Sequence, residues 1–360
     1  MTVSDYFSAT YQEARNKFLK ACEKRSLTVQ SHLNDRAKGA MGEDLYMDVA
    51  RIGPLDAQNI LIISSATHGG EGFCGSGLQV GMLRENFFTD LPNDTAILLI
   101  HAINPYGFSH IRRVNEDNID LNRNFRDFST DLPDNPAYRE VHDWIVPNDW
   151  NGPAHAAADE AIETYIEDRG MPAYQAAVTR GQHIKKDGIF FGGSEASWTN
   201  TTLRKVVKEH AAETLNLATL DIHTGLGPYG YGELIYVGNE AGIPRAMKWY
   251  DGEVTSPAAG TSSSAIVEGT IDGGICEMAP KATHTCVAVE YGTVPLRDVL
   301  QALRADNWLY IHGDVESDLG QQIKKDVRNA FYCDADDWKQ MIWDRGTSVT
   351  MKALKGLSES

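Results

Sequence analysis

From Val3 to about Leu33, Phe7, Tyr11, Ala14, Phe18 and Ala21 fall at spacings of three and four, which predicts an amphipathic helix. Glu43 to Ile52 changes to a period of two, with Leu45, Met47 and Val49 on one side, and predicts a strand. From Asn59 the chain reads NILIIS, an apolar run suited to a strand covered on both faces, and then breaks into a glycine-bearing loop that holds His68 and Glu71. A helix is expected over Leu78 to Phe88. A second buried strand, Ala96 to Ile103, stops at the turn signal Asn104-Pro105-Tyr106-Gly107. One helix between two such strands makes a βαβ unit, expected parallel.

After the turn, periodicity disappears over the polar stretch His110 to Phe128. It returns as helices over Pro136 to Ile145, Ala154 to Arg180 and Thr201 to Glu213, then as strands over Leu217 to Ile222, Gly232 to Val237 and His284 to Tyr291. Thr255 to Gly274, rich in Ser, Thr, Gly and Ala, reads as loops around a short strand, and Leu296 to Leu357 as two or three helices. Strands alternating with helices indicate a layered α/β sheet. With no internal repeat and no linker composition, one domain over residues 1–360 is the simpler organisation, with the N-terminal helix and the C-terminal helices as additions to its core.

Composition acts mainly by exclusion. The 42% hydrophobic and 23% charged content is ordinary for a globular chain, whereas a formal charge of −17 opposes nucleic acid and anionic membrane partners. No segment approaches the roughly 18 apolar residues of a spanning helix, and the N-terminus lacks an apolar signal core. Five cysteines at irregular spacings read as reduced thiols, so a cytoplasmic protein is expected. The pattern leaves the oligomeric state open.

Polar clusters mark the ends of three apolar strands: His68 with Glu71, Asp221 with His223, and Glu290. Open α/β sheets keep their ligands at such strand ends. Two histidines and one carboxylate form the ligand set of several catalytic zinc sites. Asp221 shares a strand face with His223, so it is either a carboxylate supporting that imidazole or a plain strand-end acid. Glu290 stands in an otherwise apolar strand, where it is either a structural ion-pair partner or a general base. The loop before Phe128 concentrates Arg112, Arg113, Arg123 and Arg126 among Asn115, Asn118, Asn122 and Asn124. Arginine forks of this kind bind carboxylates. The alternative is a solvated loop that balances nearby acids.

One competing signal occupies the same loop. Gly70 to Gly75 spells G-x-G-x-x-G between a strand and a helix, with Asp90 twenty residues on, the fingerprint of a dinucleotide-binding NAD-dependent oxidoreductase. Against it, Glu71 would oppose a pyrophosphate, Asp90 does not close a second strand, and His223, Glu290 and the arginine loop are left without roles.

Taken together, His68-x-x-Glu71, the later His223, and the run Arg113-Val-Asn115-Glu-Asp-Asn118-Ile-Asp120-Leu-Asn122-Arg123-Asn124-Phe125 resemble the zinc carboxypeptidase family that includes the pancreatic carboxypeptidases. The match points to an uncharacterised bacterial branch known only as a domain of unknown function. The resemblance implies a three-layer α/β/α sandwich around a mixed, mostly parallel sheet. It implies one zinc ion on His68, Glu71 and His223, with Asp120 orienting His68. Glu290 would be the general base and Arg113 the oxyanion donor, while Asn122 and Arg123 would hold the substrate's terminal carboxylate. The family's substrate-capping tyrosine has no clear counterpart among Tyr229, Tyr231 and Tyr236. The long helical stretch Thr130 to Asn200 is expected to shape or cover the cleft. The implied activity is a metallopeptidase acting on small peptides. The alternatives are an N-acyl amino acid deacylase of the aspartoacylase and desuccinylase type, and a metal- or ligand-binding protein without turnover.

Overall fold

The computed structural model describes residues 2–360. Eight strands form one sheet: β1 (Val29–Asn34), β2 (Leu45–Ile52), β3 (Asn59–Ser64), β4 (Thr95–His101), β5 (Asn216–Tyr229), β6 (Gly232–Tyr236), β7 (Val254–Thr255) and β8 (Thr283–Gly292). Their order is β1-β2-β4-β3-β5-β8-β6-β7. The four central strands β4-β3-β5-β8 run parallel. Antiparallel pairs of β1 with β2, β2 with β4, and β6 with β8 flank them, so the sheet is mixed and mostly parallel. The helices are α1 (Tyr11–Lys24), α2 (Gly72–Arg84), α3 (Pro105–His110), α4 (Pro136–Ile145), α5 (Pro153–Arg169), α6 (Met171–Thr179), α7 (Trp198–Ala211), α8 (Ile243–Trp249), α9 (Ile271–Met278), α10 (Leu296–His312), α11 (Asp318–Phe331) and α12 (Asp336–Ser358).

Strand periodicity sorts the core into two layers. Leu61, Ile63, Ile97 and Leu99 point to the face covered by α1, α2, α8 and α12, where Phe18, Phe73, Val80, Trp338 and Ile342 are buried. Their sequence neighbours Ile60, Ile62, Leu98 and Ile100 pack on the other face against Leu203 and Val207 of α7 and Ile275 of α9. A third cluster joins α4, α5, α6, α10 and α11 through Tyr138, Ile162, Val178, Leu303 and Val327. This is the α/β/α sandwich expected, carrying an additional group of helices.

Four elements depart from the sequence pattern, the first being β5, which runs on to Tyr229 past the expected end at Ile222 and so carries Asp221 and His223 within the strand. The N-terminal helix stops at Lys24, where Ser26 takes a left-handed φ of 56°, and residues 29–34 pair with β2 instead. The helix expected over 154–180 breaks at Gly170, whose φ of 85° is left-handed and which is soon followed by Pro172. The segment expected to be loops ends in α9, capped by the Thr270 hydroxyl accepting from Gly273 N.

Candidate active site

β3 delivers the chain to His68, after which a single 3-10 turn over Gly69–Glu71 leads directly into α2. Backbone proximity dictates the first glycine. A Cβ on Gly69 would lie 1.8 Å from the Gly107 carbonyl carbon of α3. β5 brings His223 beside this turn, and β8 places Glu290 opposite His223 in register. Three loop residues, Arg113, Asn122 and Arg123, face the same cavity.

His68 Nδ1 lies 2.9 Å from Glu71 Oε1, and His223 Nδ1 lies 2.9 Å from Glu71 Oε2. Candidate ligand atoms of the three residues all fall within 4.8 Å of one another, and all three side chains are buried. The outer ring nitrogens are taken by carboxylates: His68 Nε2 by Asp120 at 3.3 Å, and His223 Nε2 by Asp221 at 2.6 Å. An imidazole that gives its Nε2 proton to a carboxylate presents an Nδ1 lone pair inward. Two such lone pairs then face the carboxylate of Glu71, and that arrangement must be neutralised by protons or a cation. The donor set, two imidazoles and a carboxylate with further room in the cavity, fits a catalytic metal ion.

Supporting contacts hold the carboxylates themselves. Asp221 accepts from Ser64 at 2.6 Å and from Thr67 at 2.8 Å. Asp120 accepts from Arg113 Nε at 2.8 Å and from the Asn122 backbone N–H at 2.9 Å. Burial opposes ionisation of Glu71, yet the imidazoles of His68 and His223 outweigh it and hold the carboxyl well below its ordinary range. For Asp120 burial is likewise outweighed, by Arg113, Arg123 and His68. Glu290 behaves oppositely: burial, and then the charge of Glu71, raise it to about 8. Its Oε1 accepts from the Leu226 amide at 2.9 Å.

Seven of the eight residues named from sequence line one cavity, and Asp120 stands directly behind His68. The remaining arginines and asparagines of the loop are used elsewhere. Arg112 pairs with Asp306 at 3.0 Å, Arg126 contacts His183, and Asn118 and Asn124 bond to backbone carbonyls. None of the tyrosines considered reaches the site. Tyr229 is exposed and bonds to Asp337, Tyr231 lies near Arg345, and the Tyr236 hydroxyl bonds to Asn239 O. Sequence reasoning missed Asp272, raised to about 7 by burial and by Asp221, which lines the cavity from α9. It also missed the apolar wall of Leu296, Val299, Leu300 and Leu303 on α10, whose periodicity is that of any core helix. Gln175, Thr179 and Phe190 come from the stretch expected to cover the cleft, and they do line it. Asp90, needed by the dinucleotide reading, is exposed in the turn after α2 and closes no strand.

Residues 7–345 match the family described as "Protein of unknown function (DUF2817)". The chain belongs to the DUF2817 family. No curated protein sequence matches this member of DUF2817. Solved structures do. Bovine thrombin-activatable fibrinolysis inhibitor, in complex with tick carboxypeptidase inhibitor, is 10% identical with a TM-score of 0.50, covering 98% of both chains. A second structure of thrombin-activatable fibrinolysis inhibitor gives 9% identity and a TM-score of 0.52, covering 98% of this chain and 74% of that one. Carboxypeptidase A from Helicoverpa armigera is 15% identical over 89% of this chain and 74% of its own, with a TM-score of 0.46. The first two give this DUF2817 chain a carboxypeptidase-like fold.

Proposed function

We propose that the chain is a zinc-dependent hydrolase that cleaves an amide bond next to a free carboxylate, a carboxypeptidase acting on small peptides. The observation that carries this reading is one cavity holding His68, Glu71 and His223 together with Glu290 and the group Arg113, Asn122 and Arg123. Zinc on the first three residues would supply a Lewis acid that acidifies water and polarises a carbonyl. Glu290 takes the proton of the attacking water and passes it to the leaving nitrogen. The Leu226 amide holds its Oε1, which leaves Oε2 for the proton. Burial and the charge of Glu71 raise this carboxyl to about 8; a cation on the three ligands would favour its ionised form, which is the one that takes the proton.

Arg113 is tied to Asp120 through Nε at 2.8 Å and reaches Glu71 Oε1 through Nη1 at 3.5 Å, so Nη2 remains to hydrogen-bond the developing oxyanion. Such a donor is commonly worth about 3 kcal/mol. Asn122 accepts from Ile271 N through Oδ1 and keeps its amide nitrogen for the substrate carboxylate, beside the Arg123 guanidinium. Walls from α6 and α10 enclose this cavity and favour small substrates. Because no tyrosine among the described residues lines the cavity, the N-acyl amino acid deacylase remains the second reading.

The test is zinc-loaded protein offered matched peptides with free or amidated C-termini, alongside N-acyl amino acids. Cleavage of the free-carboxylate forms alone is expected, and equal rates on both would remove the clamp. Preferred turnover of N-acyl amino acids would select the second reading. Glu290→Gln should bind zinc as the wild type does and lose hydrolysis by about 10²-fold or more. Wild-type turnover in that variant would overturn the proposal.

A further inference from the structure

Two thiols meet between α9 and β8. Cys276 Sγ of α9 lies 3.6 Å from Cys286 Sγ of β8, so the sulfurs are in van der Waals contact. A bond at ~2 Å requires them to approach by only about 1.5 Å more. Cys286 is fully buried, whereas Cys276 is partly exposed. His284 sits two residues before Cys286, on the same face of β8, and neighbours the Cys276 thiol. Its Nε2 donates to Ala279 O at 2.9 Å, which leaves Nδ1 able to take the thiol proton. We infer that Cys276 and Cys286 form a peroxide-responsive dithiol pair, with Cys276 the attacking sulfur and Cys286 the resolving one.

The thiol environment supports this division. The hydrogen bond from Cys286, with His284 beside it, brings Cys276 down to about 5 against the opposing effect of burial. The same contact and burial push Cys286 well up. Oxidation proceeds in two steps. The Cys276 thiolate attacks one oxygen of hydrogen peroxide, the O–O bond breaks, and a sulfenic acid and hydroxide result. The Cys286 sulfur then attacks the sulfenic sulfur, giving the disulfide and releasing water as the thiol proton joins the departing hydroxyl. Two thiols and one peroxide thereby give one disulfide and two waters, with two electrons passing from sulfur to oxygen.

The bond would tether α9 to β8, the strand that carries Glu290. At its other end, α9 places Thr270 and Asp272 in the cavity wall, and Ile271 N donates to Asn122 Oδ1 at 3.0 Å. Pulling on Cys276 therefore acts on the segment that holds Asn122. This consequence rests on the proposed function, but the dithiol chemistry does not.

The experiment exposes full-length protein to stoichiometric hydrogen peroxide, alkylates the remaining thiols, and maps the peptides by mass spectrometry. Of the five cysteines, two should become resistant to alkylation, in a Cys276–Cys286 cross-linked peptide lighter by about 2 Da that dithiothreitol restores. Cys286→Ala should stop at a sulfenic acid on Cys276 that dimedone traps, and Cys276→Ala should lose no thiol at all. A cross-link between other cysteines overturns the inference, as does Cys276 advancing to a sulfinic acid while Cys286 remains free. These readings need no substrate, so they stand or fall separately from the hydrolase. If the protein hydrolyses, the oxidised form should show a raised KM that dithiothreitol reverses, with the Cys286→Ala variant insensitive to the disulfide step.

Discussion

Asp221 accepts from Ser64, Thr67 and His223 at the same time, with both oxygens engaged. An amide in its place can accept through one oxygen only, and its NH2 would face either a hydroxyl or the imidazole. Asp221→Asn should therefore allow His223 to adopt the wrong tautomer and weaken zinc binding by about 10- to 100-fold, measured by competition with a chromogenic chelator. Unchanged affinity would reduce Asp221 to a packing residue. At this scale the sequence was informative wherever a polar group interrupted an apolar strand, as His223 and Glu290 do. It was uninformative where polar residues sit on a helix such as α9: Asp272 follows Ile271 in a segment whose loop-like composition hid an eight-residue helix.

The arginine loop is fastened to two helices by charge. Asp306 of α10 receives Arg112 Nε at 3.0 Å and Lys324 Nζ of α11, and all but Lys324 are fully buried. Burial opposes the Asp306 charge, but Lys324 and Arg112 outweigh it and lower the carboxyl below its ordinary value. In the unfolded chain the group titrates near ~3.9, so on acidification the unfolded state takes the proton first. The stabilisation is present above that value and is lost as pH falls through it towards the folded value. Asp306→Asn should cost about 3–5 kcal/mol at pH 7, by leaving two cations unpaired, and should flatten the loss of stability between pH 5 and the acid limit. Urea denaturation at several pH values checks both.

Gly69 gives a second test between elements. Gly69→Ala forces a methyl group into the α3 backbone and should destabilise the fold by about 1–3 kcal/mol while displacing His68 and lowering zinc affinity. The parallel β3-α2-β4 unit could be read from sequence because both strands have an unbroken apolar interior, Ile60 to Ile63 and Ala96 to Ile100. β1 could not: as an edge strand with only Asn34 fully buried, it carries no apolar period to detect.

Across the molecule, the candidate metal site joins the turn after β3 to the middle of β5, two central strands. In the proposed reading, zinc binds the folded chain alone, and at a free concentration of 100 Kd it should add about 2.7 kcal/mol. Chelation should lower Tm accordingly, and His223→Ala should remove the dependence on zinc. No shift in Tm would contradict the assignment of the three ligands. The sandwich, and which residues gather around one cavity, followed from pattern and motif. The wall from α10 did not, because residues that face a cavity and residues that face a core share one helical period.

Arg123 donates to the main-chain carbonyls of Thr179 and Arg180 at the end of α6, not to their side chains. Any sequence that forms a helix ending at that point keeps the guanidinium in place. Gln175 and Thr179, whose side chains border the cavity, are therefore free to vary without disturbing it. In the proposed reading, carboxylate recognition and side-chain preference are in this way separable traits, and a library confined to these two positions should alter which substrates are chosen while the demand for a free carboxylate persists.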